Sequence, residues 1–143
     1  MKWRGWETHL NNFTKLREQL PALDQGLSAL LDDLYDRRML DDVTIVVWGE
    51  FGRTPRVNGN GGGRDHWPRV AAAWIAGGGM QTGQVVGRSD RIASDAEEPV
   101  HVQNVHATLY HNMGINAQTQ QFKDPAGRPQ YLLEHREPVR ELV

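Results

Sequence analysis

Two largely apolar runs constrain the fold more than any other feature of the chain. Val43 to Trp48 is rich in β-branched residues, and the segment RVAAAWIAGGG, Arg69 to Gly79, forms the second run. Runs of this kind are typical of strands buried on both faces, as in a parallel sheet covered by helices. We therefore expect Trp48 and Trp74, which lie inside these runs, to belong to the core.

An amphipathic segment precedes the first run and predicts a long helix. Pro21 either kinks this helix or begins its second part, and Val102 to Met113 predicts a second helix that stops at Gly114. A short edge strand is expected at residues 84–87. The first helix would carry one apolar stripe with steps of three and four, formed by Phe13, Leu16, Leu20, Leu23, Leu27, Leu30, Leu31 and Leu34.

The order helix, strand, strand, helix predicts an α/β fold with a mainly parallel sheet flanked by helices. The 143 residues suit one domain, residues 1–143.

The composition excludes several function classes. A net charge of -2 gives no reason to expect nucleic acid or an anionic membrane as a partner. With no cysteine, thiolate metal sites and disulfides are excluded. No apolar run approaches the roughly 20 residues that span a bilayer. The N-terminus MKWRGWETH lacks the apolar core of a secretory signal. We expect a soluble protein, whose compartment the sequence leaves open.

The motif WETH is the first candidate for chemistry. The segment from Trp3 to His9 is predicted as a strand or an extended lead-in. On a strand, Glu7 and His9 would point to the same face, where a carboxylate and an imidazole can share a divalent metal. The alternative is a surface glutamate beside a hydrogen-bonded histidine.

The motif GEFGRTP places Glu50 and Arg53 just after the first predicted strand. Ligands of open α/β sheets bind at the carboxyl ends of strands, and a guanidinium suits phosphate or sulfate oxygens. The alternative is a turn with both side chains in solvent.

The motif GGGRDHWP carries Asp65 and His66 in a glycine-rich loop that could fold back toward Glu50. This loop matches neither a phosphate-binding P-loop nor a dinucleotide fingerprint. The alternative is a polar loop with Asp65 paired to an arginine. His106 and His111 are about 140° apart on a helix, so we expect them to be surface or packing residues.

Taken together, the ordered motifs resemble an uncharacterised sulfatase-like family, domain of unknown function 1501, within the alkaline phosphatase superfamily. They are WETHLNNF, LLDDL, VVWGEFGRTPRVN, GGRDHWP, GGGMQTGQVVG, HATLYHNMGI and GRP. The resemblance implies an α/β sandwich, a divalent metal site with zinc, calcium or manganese, and hydrolysis of small phosphate or sulfate esters. It also implies that the chain is truncated at its N-terminal side and lacks the nucleophile.

Carried over onto this chain, the resemblance gives the metal ligands Glu7, His9, Glu50, Asp65 and His66, and the catalytic residue Arg53. Glu7 stands where the family pattern has aspartate, and Phe51 stands where it has a histidine ligand, which removes a ligand of the second metal. The expected function is the metal-binding part of an ester hydrolase, incomplete for catalysis alone. A non-catalytic remnant that self-assembles or binds a partner is the alternative, and an unrelated small α/β domain is a third hypothesis.

Overall fold

A computed structural model describes residues 5–143, so the predicted segment from Trp3 to His9 begins outside the described residues. Residues 5–10 form no helix or strand. The long helix α1, Asn12–Asp36, begins after Asn11, whose φ of 52° is left-handed and whose side chain makes no capping bond. It continues through Pro21 without a break, and Pro21 is exposed. The backbone N–H of Arg37 bonds to the carbonyl of Asp33 and closes its end.

Residues 5–143 contain eight short strands, and each of them pairs with one other strand. They are β1 (Thr44–Trp48), β2 (Gly52–Arg53), β3 (His66–Trp67), β4 (Ala73–Gly77), β5 (Arg88–Ser89), β6 (Ala96–Glu98), β7 (Gln121–Lys123) and β8 (Pro129–Tyr131). The pairs β1–β4, β2–β3, β5–β6 and β7–β8 are all antiparallel. The predicted edge strand at residues 84–87 is therefore wrong, since the strand lies at Arg88–Ser89.

The prediction of a mainly parallel sheet flanked by helices is also wrong. The two apolar runs do form strands, but β1 and β4 pair antiparallel, with Thr44 opposite Gly77 and Trp48 opposite Ala73. A parallel pair needs a crossover, usually helical. Residues 49–72 contain no helix and instead fold into the β2–β3 pair, so the chain re-enters the sheet in the opposite direction.

The fully buried part of the described chain is small and centres on the second helix, α2 (Val102–Asn112). Thr108 lies fully buried there, where its hydroxyl donates to the carbonyl of Asn104 at 2.8 Å and accepts from the backbone N–H of Val139 at 2.8 Å. Val105 and Ala107 are buried beside it. This helix thereby anchors the C-terminal segment, which ends in a 3-10 helix at Arg140–Leu142.

The tryptophans of the sheet do not form the predicted core. Trp48 is 36% exposed and Trp74 is 41% exposed, and the register of the β1–β4 pair places them on opposite faces of the sheet. Trp48 instead contacts the ring of His106, with 5.4 Å between ring centroids. In the described part of the chain, neither helix combines the length and apolarity needed to cross a membrane.

Candidate metal centre

Three separate stretches of chain meet beside the β2–β3 pair. The antiparallel register sets Arg53 directly opposite His66. The N-terminal segment runs alongside, because the backbone N–H of Arg64 bonds to the carbonyl of Thr8 at 3.1 Å. Directly opposed residues of an antiparallel pair have Cβ atoms about 5 Å apart. This arrangement brings Glu7 and His9 onto the side chains of β2 and β3.

Glu7, His9 and His66 form a group that could hold a metal ion. Oε1 of Glu7 lies 2.7 Å from Nε2 of His9 and 2.9 Å from Nε2 of His66, and the two Nε2 atoms are 3.2 Å apart. Ligands bound tetrahedrally to zinc at 2.0–2.1 Å lie about 3.4 Å from one another. The three pairs of atoms therefore need to separate by between about 0.2 and about 0.7 Å to surround an ion.

Asp65 fixes the orientation of the His9 ring. Its Oδ1 lies 2.7 Å from Nδ1 of His9, and an ionised carboxylate can only accept, so Nδ1 carries the hydrogen. In the neutral imidazole, Nε2 then presents a lone pair to the carboxylate of Glu7, which is also an acceptor. Two acceptors at 2.7 Å need a proton or a cation between them. Metal-binding histidines characteristically donate their second N–H to a carboxylate in this way.

Asp65 is itself held by the preceding loop. Nδ2 of Asn58 donates to its two carboxylate oxygens at 3.3 and 3.4 Å, and its backbone N–H donates to the hydroxyl of Thr54 at 3.1 Å. The hydrogen bond to His9, followed by that from Asn58, lowers the pKa of Asp65 below its usual 3.8. Asp65 therefore orients a candidate ligand instead of joining the three ligand atoms.

Arg53 holds Glu7 in place. Its Nη1 donates to Oε1 of Glu7 at 3.1 Å, and the guanidinium also reaches the backbone carbonyls of Arg64 and Trp6. The side chain of Arg53 is only 22% exposed, whereas that of Glu7 is 60% exposed. The hydrogen bond from Arg53, and next that from His66, lower the pKa of Glu7 from 4.5 to about 2. The carboxylate of Glu7 is therefore ionised at neutral pH.

Phe51 packs against the other side of the site. Its ring lies 4.4 Å from that of His66, centroid to centroid. An aromatic ring supplies no ligand, but this contact limits the rotation of the His66 imidazole. The position that the family resemblance assigns to a second metal's histidine is therefore occupied by a packing residue.

Glu50 does not join this group. It is exposed and lines a separate, mainly apolar cavity of about 290 Å³ with Trp48, Ile75 and Val105. His106 and His111 are exposed on α2. Sequence reasoning missed Asn58 and Thr54, whose side chains contact Asp65 from 7 and 11 positions away along the chain. Such contacts within a loop follow no fixed spacing in sequence, so the sequence does not predict them.

Comparison with known protein families identifies one family that matches the whole chain. The family described as "Protein of unknown function (DUF1501)" matches residues 1–143. The chain belongs to this family. No curated protein and no solved structure matches the chain. Membership of DUF1501 assigns no activity to the chain and does not connect it with sulfatases or alkaline phosphatases. The resemblance to those enzymes therefore stays a prediction.

Proposed function

We propose that Glu7, His9 and His66 bind one divalent metal ion, with zinc as the best fit. The observation that carries this proposal is the His9 ring, held by Asp65 through Nδ1 while Nε2 faces an ionised carboxylate and a second imidazole. Two imidazoles and one carboxylate suit zinc or manganese. Calcium prefers six to eight oxygen ligands, so we expect it to bind most weakly of the three.

The proposed reaction is hydrolysis of a small phosphate or sulfate ester, with this chain as the metal-binding part. The side chains of His9 and His66 are 40% and 44% exposed, which leaves room for an ester oxygen to approach. A bound divalent ion acts as a Lewis acid toward such an oxygen. Arg53 adds positive charge beside the ligands, although its contacts with Glu7 and two carbonyls favour a positioning role.

The test is calorimetric titration of chelator-stripped protein with zinc, manganese and calcium. We expect about one zinc ion per chain, and a loss of binding in His9→Ala, His66→Ala and Glu7→Gln. His111→Ala is the matched control, because His111 is an exposed histidine that lies outside the group. Absence of zinc binding in the unmodified chain would overturn the metal proposal.

Hydrolysis is tested separately with p-nitrophenyl phosphate and p-nitrophenyl sulfate, with and without zinc. As the metal-binding part of the hydrolase, the chain alone is expected to turn over one of the two esters slowly and only with zinc, and His66→Ala should abolish that turnover. Zinc binding without turnover of either ester would keep the metal site and contradict ester hydrolysis by this chain.

The competing interpretation is a purely structural hydrogen-bond network. His9 protonated on both nitrogens could donate to Glu7 and Asp65 at once, tying the N-terminal segment to β3 with no ion. In that case the histidine variants lose stability equally with and without zinc, and the titrations show no binding.

A further inference from the structure

The middle of helix α1 presents an apolar face that no other described element covers. The groove along this face is lined only by residues of α1 itself. Phe13 is 44% exposed, Leu20 46% and Leu30 43%. Both ends of the face touch the body of the protein, since Leu34 is buried and Arg64 lies 5.8 Å from the Phe13 ring centroid.

The spacing on this face is that of a coiled-coil seam. Seven apolar residues alternate in steps of three and four without interruption, the a and d pattern of helices that pair with other helices. They are Phe13, Leu16, Leu20, Leu23, Leu27, Leu30 and Leu34. Leu34 is buried against the body of the protein, so the part of the seam open to a partner runs from Phe13 to Leu30 and is about 27 Å long. Pro21, one position after Leu20, lines the same groove.

Charges beside the seam point to a second copy of the same helix in antiparallel orientation. When Leu20 of one helix lies opposite Leu23 of the other, Phe13 lies opposite Leu30. In that register Arg17 of each helix flanks Asp24 of the other, so two symmetric ion pairs form. A parallel pair would instead set Gln19 beside Asp24, without any pair of opposite charge.

The apolar residues Leu10 and Leu31, which lie beside the seam, fit the same register. Leu10, which is 53% exposed just before the helix, would lie beside Leu31 of the second copy. We propose that the chain forms a two-fold symmetric homodimer through an antiparallel α1–α1 pair. Because a two-fold axis relates identical surfaces, each favourable contact occurs twice. The metal ligands are not part of this face, so the dimer does not depend on the proposed metal site.

The test is sedimentation velocity of the 143-residue protein, from about 5 to about 500 µM, in chelator. We expect a concentration-dependent dimer. Arg17→Asp and Asp24→Arg alone should each weaken dimerisation by about tenfold or more, because each change places two like-charge pairs beside the seam. The double variant, with the charges exchanged, should restore it.

Glu18→Arg is the matched control, since Glu18 lies on α1 opposite the seam and is exposed; it should leave dimerisation unchanged. Circular dichroism confirms that each variant retains its helix. A monomer at all concentrations overturns the proposal. So does a dimer that both single charge reversals leave intact, because it would use another surface.

Discussion

At the scale of single residues, the orientation of His9 is what separates a metal site from an ordinary cluster of polar groups. Asp65→Asn keeps the size of the side chain but replaces a charged acceptor with a weaker neutral one. We expect zinc affinity to fall about 10–100-fold with the stoichiometry unchanged, as for other partners of metal-bound histidines. Competition with a chromophoric chelator measures the change. Asp41→Asn, at an exposed carboxylate outside the site, should leave affinity unaltered.

Glu7 gives the site a pH dependence of defined sign. Its folded pKa of about 2 lies below its ordinary value of 4.5, so folding favours the ionised form. That contribution to stability is complete above about pH 4.5 and is lost as the pH falls toward about 2. The cause is the guanidinium of Arg53, which donates to Oε1.

The stability advantage of the wild type over Glu7→Gln should therefore shrink as the pH falls from about 4.5 toward about 2. Urea unfolding in chelator measures this difference at each pH. Glu18→Gln, at an exposed glutamate of α1, should show no comparable trend. An advantage that stays constant across this range would mean that Glu7 is not stabilised in its ionised form.

At the scale of elements, the glycine-rich loop before β3 sets the distance between the N-terminal segment, which carries Glu7 and His9, and strand β3, which carries His66. Gly63 is buried, and a Cβ added there would collide with the carbonyl of His9. We expect Gly63→Ala to push His9 away from His66 and to lower zinc affinity at least tenfold, although no ligand is changed. Gly59→Ala lies in the same loop with nothing near its added methyl group. Equal zinc affinities in the two variants would contradict this account.

The elements also show how far the sequence could predict this fold. The apolar spacing located α1 and α2, because amphipathic periodicity is a local property. Strands β1 and β4 were likewise located by their β-branched and apolar residues. Their antiparallel pairing was not predictable in the same way, because it depends on the route of residues 49–72, which contain no helix. Composition cannot distinguish a strand covered on both faces from one with an exposed face.

The candidate site shows the same division between local and non-local information. Short acid and imidazole spacings recur by chance, so Glu7, His9 and His66 could be singled out only because the motifs WETH and GRDHWP also resemble those of a family. Glu50 was grouped with them by its place after β1, yet the chain bends at Glu50 and Phe51, and Glu50 lines the apolar cavity. Asp65 was predicted as a ligand, whereas its contact with Nδ1 of His9 makes it the partner of one.

At the scale of the whole molecule, the site compensates for a small core. Within residues 5–143 the fully buried apolar side chains are few and mostly small, and the four sheets have two strands each. The segment from Glu7 to His9 is held against β3 mainly through polar contacts to Arg53, Asp65 and His66. A bound ion would therefore join segments that little apolar packing connects.

Zinc should consequently raise the thermal stability of the entire chain. A ligand at about one hundred times its dissociation constant stabilises the native state by about 2.7 kcal/mol. For a chain of this size that corresponds to a rise in Tm of roughly 5–10 °C. Scanning calorimetry with zinc should show this rise in the wild type and in His111→Ala, and none in His66→Ala. Because the ion would connect Glu7 and His9 with His66, 57 positions or more away in sequence, the transition should also become sharper. A zinc effect that persists in His66→Ala would place the ion elsewhere.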